Sequence, residues 1–184
     1  MTFGELSTVD GYNIAEVASA MQKCIRRGLE RDAVFWATEL DRSNYGEYVF
    51  KRLRIIASED IGLAEPLTAL LIRSLYDNWR DQRKKDDAKH APERLFLIHA
   101  VIALCRAQKS RTVDHALVVA YEGERPRREV PDFALDKHTG RGRARRRGWK
   151  HWWENGCQLA VSPGEDYEPE AREIRRDLQT EFVL

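Results

Sequence analysis

The chain has 184 residues, of which 42% are hydrophobic and 33% are charged, a balance typical of a globular protein. A chain of this length can bury one hydrophobic core, so we expect one main domain with an appendage. The 31 Lys and Arg residues almost balance the 30 Asp and Glu residues, so net charge alone indicates no class of partner. No segment resembles a signal peptide, and no apolar run is long enough to span a membrane. We expect a cytoplasmic protein with no membrane partner.

The three cysteines, Cys24, Cys105 and Cys157, are odd in number and widely spaced. A disulfide framework needs paired cysteines, and a zinc site needs ligands at short, characteristic spacings. His138 and His151 do not complete such a spacing with Cys157. We therefore expect reduced thiols, no metal and no other cofactor.

Apolar residues recur at helical spacing through the first 122 residues, and the alternation typical of strands is almost absent. The pattern predicts an all-α fold, an antiparallel bundle of about six helices joined by short connections. The first helix is expected to begin at Ile14 and end at Gly28. The next five predicted helices begin near Asp32, Tyr45, Pro66, Pro92 and Ser110.

Two of these helices carry specific expectations about burial. The fourth is predicted to bury Leu67, Leu70, Leu71, Leu75 and Trp79. The fifth is apolar around almost its whole circumference between Leu95 and Leu104, which is typical of a helix in the middle of a bundle or between subunits. We expect His99, within this helix, to be a hydrogen-bonded core histidine, and we expect self-association to a dimer or tetramer.

The composition changes after Glu122, and the predicted organisation has three parts. Residues 1–13 form an N-terminal arm, residues 14–122 the helical domain, and residues 123–184 a linker, a basic tryptophan-containing segment and an acidic tail. A seventh helix is expected to carry the basic block and to end near Gly156. A last, acidic helix is expected over residues 168–182.

The basic block is the candidate nucleic-acid-binding site, because its cations could contact a phosphate backbone. Its tryptophans at 149, 152 and 153 share one helical face and could stack on bases. Alternatively, these tryptophans dock the segment on the bundle, while the arginines face solvent or meet the acids between residues 165 and 181. The candidate residues are Arg141, Arg143, Arg145, Arg146, Arg147, Trp149 and Lys150.

Residues 55–64 form an apolar run that ends in a paired-acid, glycine-containing corner. A helix is expected to stop here, with Ser58, Glu59 and Asp60 free to cap the next element and Gly62 permitting a turn. The two acids could act as a catalytic pair only if partner groups converged on them. Capping and pairing between helices are the favoured interpretation.

These residues resemble a signature of the replication-associated recombination protein A family (RarA, also called MgsA), the bacterial relatives of the Werner-helicase-interacting protein. Residues 58–64 are the most specific part, and residues 19–26, 32–36, 52–57 and 100–110 support the likeness by their order and spacing. The resemblance extends over residues 14–121. It implies a helical collar that assembles an AAA+ ATPase into tetramers, in a protein that acts at stalled replication forks.

We do not expect this chain itself to be an enzyme. None of its glycines begins a GxxxxGK[ST] or GxGxxG pattern, so we expect neither binding nor hydrolysis of ATP. The predicted function is a non-enzymatic oligomerisation and partner-binding module in DNA replication, recombination or repair. The partner could be a separate ATPase or a replication or repair protein. The alternative is a small nucleic-acid-binding protein that acts through the basic block.

Overall fold

The computed structural model describes residues 6–83 and 91–160 and divides the chain into two compact units. Unit 1 comprises residues 1–125 and unit 2 comprises residues 126–184. The described residues form eight α-helices and short helical turns, with no β-strand among them. The all-α prediction is confirmed. The charge run at 84–90 and the predicted acidic helix at 168–182 lie outside the described residues, and the finer domain limits remain predictions.

Unit 1 contains six helices: α1 (Ile14–Arg27), α2 (Glu30–Arg42), α3 (Gly46–Ile56), α4 (Thr68–Arg83), α5 (Glu93–Arg106) and α6 (Thr112–Tyr121). A π-helical turn, Ala57–Ile61, continues α3 without a break, and a 3-10 turn, Gly62–Ala64, follows it. We call these two turns together, residues 57–64, the corner.

The ends of α1 follow directly from its sequence. The Asn13 side chain accepts hydrogen bonds from the backbone N–H groups of Ala15 and Glu16, which satisfies donors that a helix start leaves unpaired. At the other end Gly28 has a φ of 70°, the left-handed conformation that glycine adopts at low cost. The predicted limits of this helix are confirmed.

Helix α5 lies in the middle of the bundle, in contact with each of α1 to α4. Its buried stripe comprises Leu97, Ala100, Val101 and Leu104. His99 is nevertheless exposed, so the prediction of a core histidine is wrong. The reason is that His99 and Leu95, four residues apart, share the helix face outside that stripe.

The predicted core face of α4 is wrong in part. Leu75 and Trp79 are buried, but Leu67, Leu70 and Leu71 are 74%, 67% and 39% exposed. Helix α4 begins at Thr68, and its buried stripe instead comprises Thr68, Ile72, Leu75, Tyr76 and Trp79. The aromatic rings decide this face, because those of Tyr76 and Trp79 pack 5.5 and 5.2 Å from the ring of Phe50.

Helix α6 packs on the corner, and none of its ten residues is buried by the described part of the chain. Its start is held by Ser110, whose Oγ accepts a hydrogen bond from the N–H of Thr112 at 3.3 Å. The apolar residues that remain exposed along it are Val113, Leu117, Val118, Val119 and Tyr121.

Unit 2 does not contain the single long helix predicted for the basic block. It has a 3-10 turn (Asp132–Ala134), a short helix α7 (Gly140–Ala144), and α8 (Trp149–His151), which continues as a π-helical turn (Trp152–Gly156). The end at Gly156 agrees with the prediction. The helix breaks between α7 and α8, where Arg146 adopts a φ of 53°, outside the right-handed helical region.

Replacing Ile72 and Leu70 by alanine tests the register of α4. We expect Ile72→Ala to lower the free energy of unfolding by about 2–5 kcal/mol, because it leaves a cavity in the core. Leu70→Ala should change it by no more than about 0.5 kcal/mol, because its side chain is exposed. Chemical denaturation of dilute protein measures both values. Equal losses for the two variants would contradict the observed register.

Candidate interaction surfaces

The corner is organised around a buried carboxylate. Asp60 is only 1% exposed, and its Oδ1 accepts a hydrogen bond from Arg26 Nε at 2.7 Å. The same guanidinium donates through Nη2 to Glu59 Oε1 at 2.9 Å. One arginine of α1 therefore binds both acids of the corner.

This pairing replaces the capping role that the sequence suggested. Ser58, Glu59 and Asp60 lie in the π-helical turn that continues α3, and none of their side chains caps a helix end in the described structure. Glu59 and Asp60 are engaged by Arg26 instead. The alternative expectation, pairing between helices, describes the contact that forms. Arg26 binds one oxygen of each acid, while the other oxygen of Asp60, Oδ2, is buried without a hydrogen-bond partner among the described residues.

A wider polar network extends from Glu59 to α1 and α6. Gln22 Nε2 donates to Glu59 Oε2 at 3.1 Å, and Arg52 donates to the oxygen of Gln22. Arg111 Nη2 lies 3.6 Å from Glu59 Oε1, and the same group pairs with Asp114 of α6. Glu59 thereby links α1 to the first turn of α6.

The segment between α5 and α6 is bound to the corner through its backbone. Lys109 Nζ donates to the carbonyl oxygens of Leu104, Cys105 and Ala107 at 2.7, 3.0 and 2.6 Å, which satisfies acceptors at the end of α5. Burial lowers the pKa of Lys109. The next N–H, of Ser110, donates to the carbonyl oxygen of Asp60 at 2.9 Å. Two sequence blocks far apart in the chain therefore meet here.

Gly62 allows α6 to approach the corner. Its φ is 48°, in the region that favours glycine, so it makes the predicted turn. A Cβ at this position would lie 2.9 Å from Val113 Cγ2, closer than carbon atoms normally approach. Any larger residue would therefore both strain the backbone and push α6 away.

An open, largely apolar groove runs between α3 and α6. Ile55, Val113 and Leu117 provide its apolar surface, and Lys51, Arg54 and Asp114 contribute charged side chains. An exposed apolar surface bordered by charged side chains is a candidate surface for binding a partner. The described residues hold no group of three or more His, Cys, Asp and Glu side chains that could bind a metal ion. Among the helices described, none is both long and apolar enough to cross a membrane.

In unit 2, Asp132 binds two of the candidate arginines. Arg147 donates through Nη1 to the carbonyl oxygens of Asp132 and Leu135, at 2.9 and 3.0 Å, and also pairs with the Asp132 carboxylate. Arg145 Nη1 lies 3.2 Å from the same carboxylate. The hydrogen bond from Arg147 lowers the pKa of Asp132. The side chain of Arg147 is only 19% exposed, so this residue has a structural role rather than the solvated position expected for the block.

The turn before α7 is equally well defined. Asp136 accepts from the backbone N–H of His138 at 2.9 Å and contacts its Nδ1 at 3.0 Å, and Thr139 caps α7 by accepting from the N–H of Gly142. A Cβ on Gly142 would lie 1.7 Å from the carbonyl oxygen of Asp136, so only glycine fits there.

The tryptophans of unit 2 pack on one another. The rings of Trp149 and Trp152 meet edge to face at 5.5 Å, and those of Trp152 and Trp153 at 4.6 Å. Lys137 Nζ lies 3.3 Å from the centroid of the Trp149 ring. All three tryptophans are half-buried, which fits a small aromatic cluster better than an open platform for bases. Their docking on the bundle remains a prediction.

The other candidate cations of the block are exposed. Arg143 donates to the backbone carbonyl oxygens of Lys137 and His138. Arg141, Arg146 and Lys150 make no ion pair with residues 6–83 or 91–160. The structure thus separates the candidate residues into structural and solvent-facing groups, while nucleic-acid binding itself remains a prediction.

Comparison with known proteins matches residues 30–176, more than half of the chain, to the family described as the MgsA AAA+ ATPase C terminal. The chain belongs to this family. It is also similar to the replication-associated recombination protein A of Bacillus subtilis (strain 168), with 29% identity over 155 residues, 80% of this chain and 35% of that relative. The chain thus spans about a third of the relative's length.

The match to the MgsA C-terminal family extends further along the chain than the resemblance seen in the sequence, which ended at residue 121. It includes the described part of unit 2. Sequence reasoning also missed the partners of the signature acids, Arg26 and Arg111, and the organising role of Asp132. Nothing in their spacing marks these residues, because each contact joins positions far apart in the sequence or across an irregular turn.

Neighbouring arginines in α1 allow a matched test of the corner in this MgsA-family domain. Removing Arg26 leaves the buried Asp60 without its guanidinium, so we expect Arg26→Ala to lower the free energy of unfolding by about 3 kcal/mol. Arg27 is the control because, among the described residues, its side chain donates only to the carbonyl oxygen of Lys23, and Arg27→Ala should cost no more than about 0.5 kcal/mol. Denaturant titration measures both. Similar values would show that the Arg26 pairing does not hold the corner.

Proposed function

We propose that this MgsA-family domain is a non-enzymatic assembly module that self-associates, as a dimer or tetramer, and binds protein partners in DNA replication, recombination or repair. The link to replication and recombination is supported by the similarity to the replication-associated recombination protein A of Bacillus subtilis. The non-enzymatic role is supported by a match to the C-terminal part of an AAA+ ATPase and by the lack of a phosphate-binding glycine pattern in the sequence.

The observation that carries this proposal is the exposure of α6. Leu117, Val119 and Tyr121 are 53%, 71% and 78% exposed, although the helix has the composition of a core element. Leu63, in the adjoining turn of the corner, is 66% exposed. Large exposed apolar side chains concentrated on one helix of a folded domain are typical of a protein–protein interface. We define the exposed apolar residues of α6, together with Leu63, as the α6 surface.

The energetics favour burial of the α6 surface on association. Each large apolar side chain that becomes fully buried contributes about 1.5–3 kcal/mol. Several such side chains from two copies can exceed the roughly 4–15 kcal/mol that association costs in lost freedom. The contacts of the corner, which hold α6 in place, also limit the ordering cost of forming the interface.

The apolar circumference of α5 predicts self-association through that helix, whereas we propose that α6 forms the interface. The large apolar residues of α5 are mostly used within the bundle, where Leu97, Val101 and Leu104 are no more than 2% exposed. Leu95, 70% exposed, is the exception near the start of that helix. Helix α6 therefore offers the larger free apolar surface. A separate ATPase or another replication or repair protein is the class of partner that the family relationship suggests.

Two lysines placed on α6 test the proposal. We expect the double variant Leu117→Lys, Val119→Lys to dissociate at least about ten-fold more readily than the wild-type chain, because burying unpaired ammonium groups is costly. Both positions are exposed, so the helical circular dichroism should not change. Sedimentation velocity at micromolar concentration gives the mass.

The control variant is Val9→Lys, Leu70→Lys, which makes the same two changes at exposed positions of unit 1 outside the α6 surface. It should assemble like the wild-type chain. A wild-type chain that sediments only as a 21.4 kDa monomer would contradict self-association. Equal loss of assembly in both variants would contradict the assignment to α6.

A further inference from the structure

We propose that unit 2 binds the phosphate backbone of nucleic acid through the side chains of Arg141, Arg146 and Lys150. This inference is independent of the assembly proposed for unit 1. It assigns a binding site and excludes from it those cations of the basic block that hold unit 2 together. We call Arg141, Arg146 and Lys150 the free cations.

The cations of the basic block divide into engaged cations and free cations. Arg145 and Arg147 bind Asp132, Arg143 binds two carbonyl oxygens, and Lys137 lies over the Trp149 ring. The free cations are exposed and form no ion pair with any residue of 6–83 or 91–160. Exposed guanidinium and ammonium groups that make no ion pair can donate hydrogen bonds to phosphate oxygens.

Charge is locally unbalanced in the basic block. No acidic residue occurs between Lys137 and Trp153, and the acids nearest in sequence before this stretch are already engaged. Asp132 binds arginines and Asp136 binds His138. The cations therefore produce a positive field that the described part of unit 2 does not neutralise, which favours association with a polyanion.

The backbone at Arg146 has an unusual conformation. Its φ of 53° is a conformation that glycine and asparagine adopt more readily than arginine. The neighbours on each side, Arg145 and Arg147, both bind Asp132 and so fix the turn at whose centre Arg146 lies. Backbone strain that surrounding contacts maintain clusters at functional sites such as ligand-binding positions.

The surroundings favour nucleic acid over an acidic protein. Protein interfaces have an apolar centre, whereas residues 140–148 contain only glycine, arginine and one alanine. The aromatic cluster is half-buried and packed edge to face, so the bases are not expected to stack on it. The site should therefore bind the backbone with little sequence preference.

The salt dependence of binding by the full chain tests this site. The probes are labelled oligonucleotides of about 20 nucleotides, single-stranded and duplex. This length exceeds the number of nucleotides that a domain of this size contacts. The test variant is Arg141→Gln, Arg146→Asn, Lys150→Gln, in which asparagine suits the left-handed position. Each phosphate contact adds roughly 0.7–0.9 to the log–log salt slope, so the slope should fall by roughly 2–3. Affinity at low salt should fall at least about ten-fold.

A matched control removes the same charge from exposed cations of unit 1, as Arg31→Gln, Lys51→Gln, Arg80→Gln. It should keep the wild-type salt slope, and equal losses in both triple variants would overturn the assignment. The single variant Arg146→Asn should lower the slope by roughly 0.7–0.9, which keeps the test valid if the triple variant folds poorly.

A fourth variant tests whether the acidic tail neutralises the free cations. In it, Glu165, Asp166, Glu168 and Glu170 are changed to their amides. Binding by this variant or by the wild-type chain, lost on removal of the free cations, supports the site. Failure of both to bind DNA or RNA at low salt would overturn it. Competition by polyglutamate as effective as by the oligonucleotide would also overturn it, in favour of an acidic protein partner.

Discussion

The pairing of Arg26 with the buried Asp60 is the interaction on which unit 1 depends. A carboxylate that is 1% exposed is tolerated only when a cation and hydrogen bonds compensate for its lost hydration. Arg26 of α1 provides that compensation at 2.7 Å and binds Glu59 as well. This pairing holds the irregular path of the corner. The carbonyl oxygen of Asp60 then accepts a hydrogen bond from the N–H of Ser110, which fixes the start of α6 against the corner.

Unit 2 uses the same principle on a smaller scale. Asp132 binds Arg147 and Arg145, and the tight approach of Gly142 to Asp136 determines where α7 can begin. In both units, ion pairs between acids and arginines join segments that are separate in the sequence. What remains outside these pairings differs between the units: an apolar helix in unit 1 and free cations in unit 2. The interactions that stabilise each unit therefore also determine which side chains it leaves exposed.

Much of the fold could be predicted from local patterns, and the failures have a common cause. The limits of α1 and the central place of α5 follow from caps and from apolar periodicity within single segments. The core face of α4 was predicted wrongly because Leu67, Leu70 and Leu71 are as apolar as Ile72. The packing of Trp79 against Phe50 determines which face of the helix is buried. The break at Arg146 and the role of Arg26 depend on contacts with Asp132 and Asp60 that no spacing rule reveals.

We propose that the corner presents α6 as the surface on which copies of this chain associate. Hydrogen–deuterium exchange measured over a series of protein concentrations tests it most directly. Burial of α6 in an interface should suppress its local opening and so slow the exchange of its amides. Protection of residues 112–121 should rise with concentration, in step with the mass from sedimentation, while α5 amides stay protected throughout. Exchange in α6 that is unchanged while the mass increases would place the interface elsewhere and contradict the account.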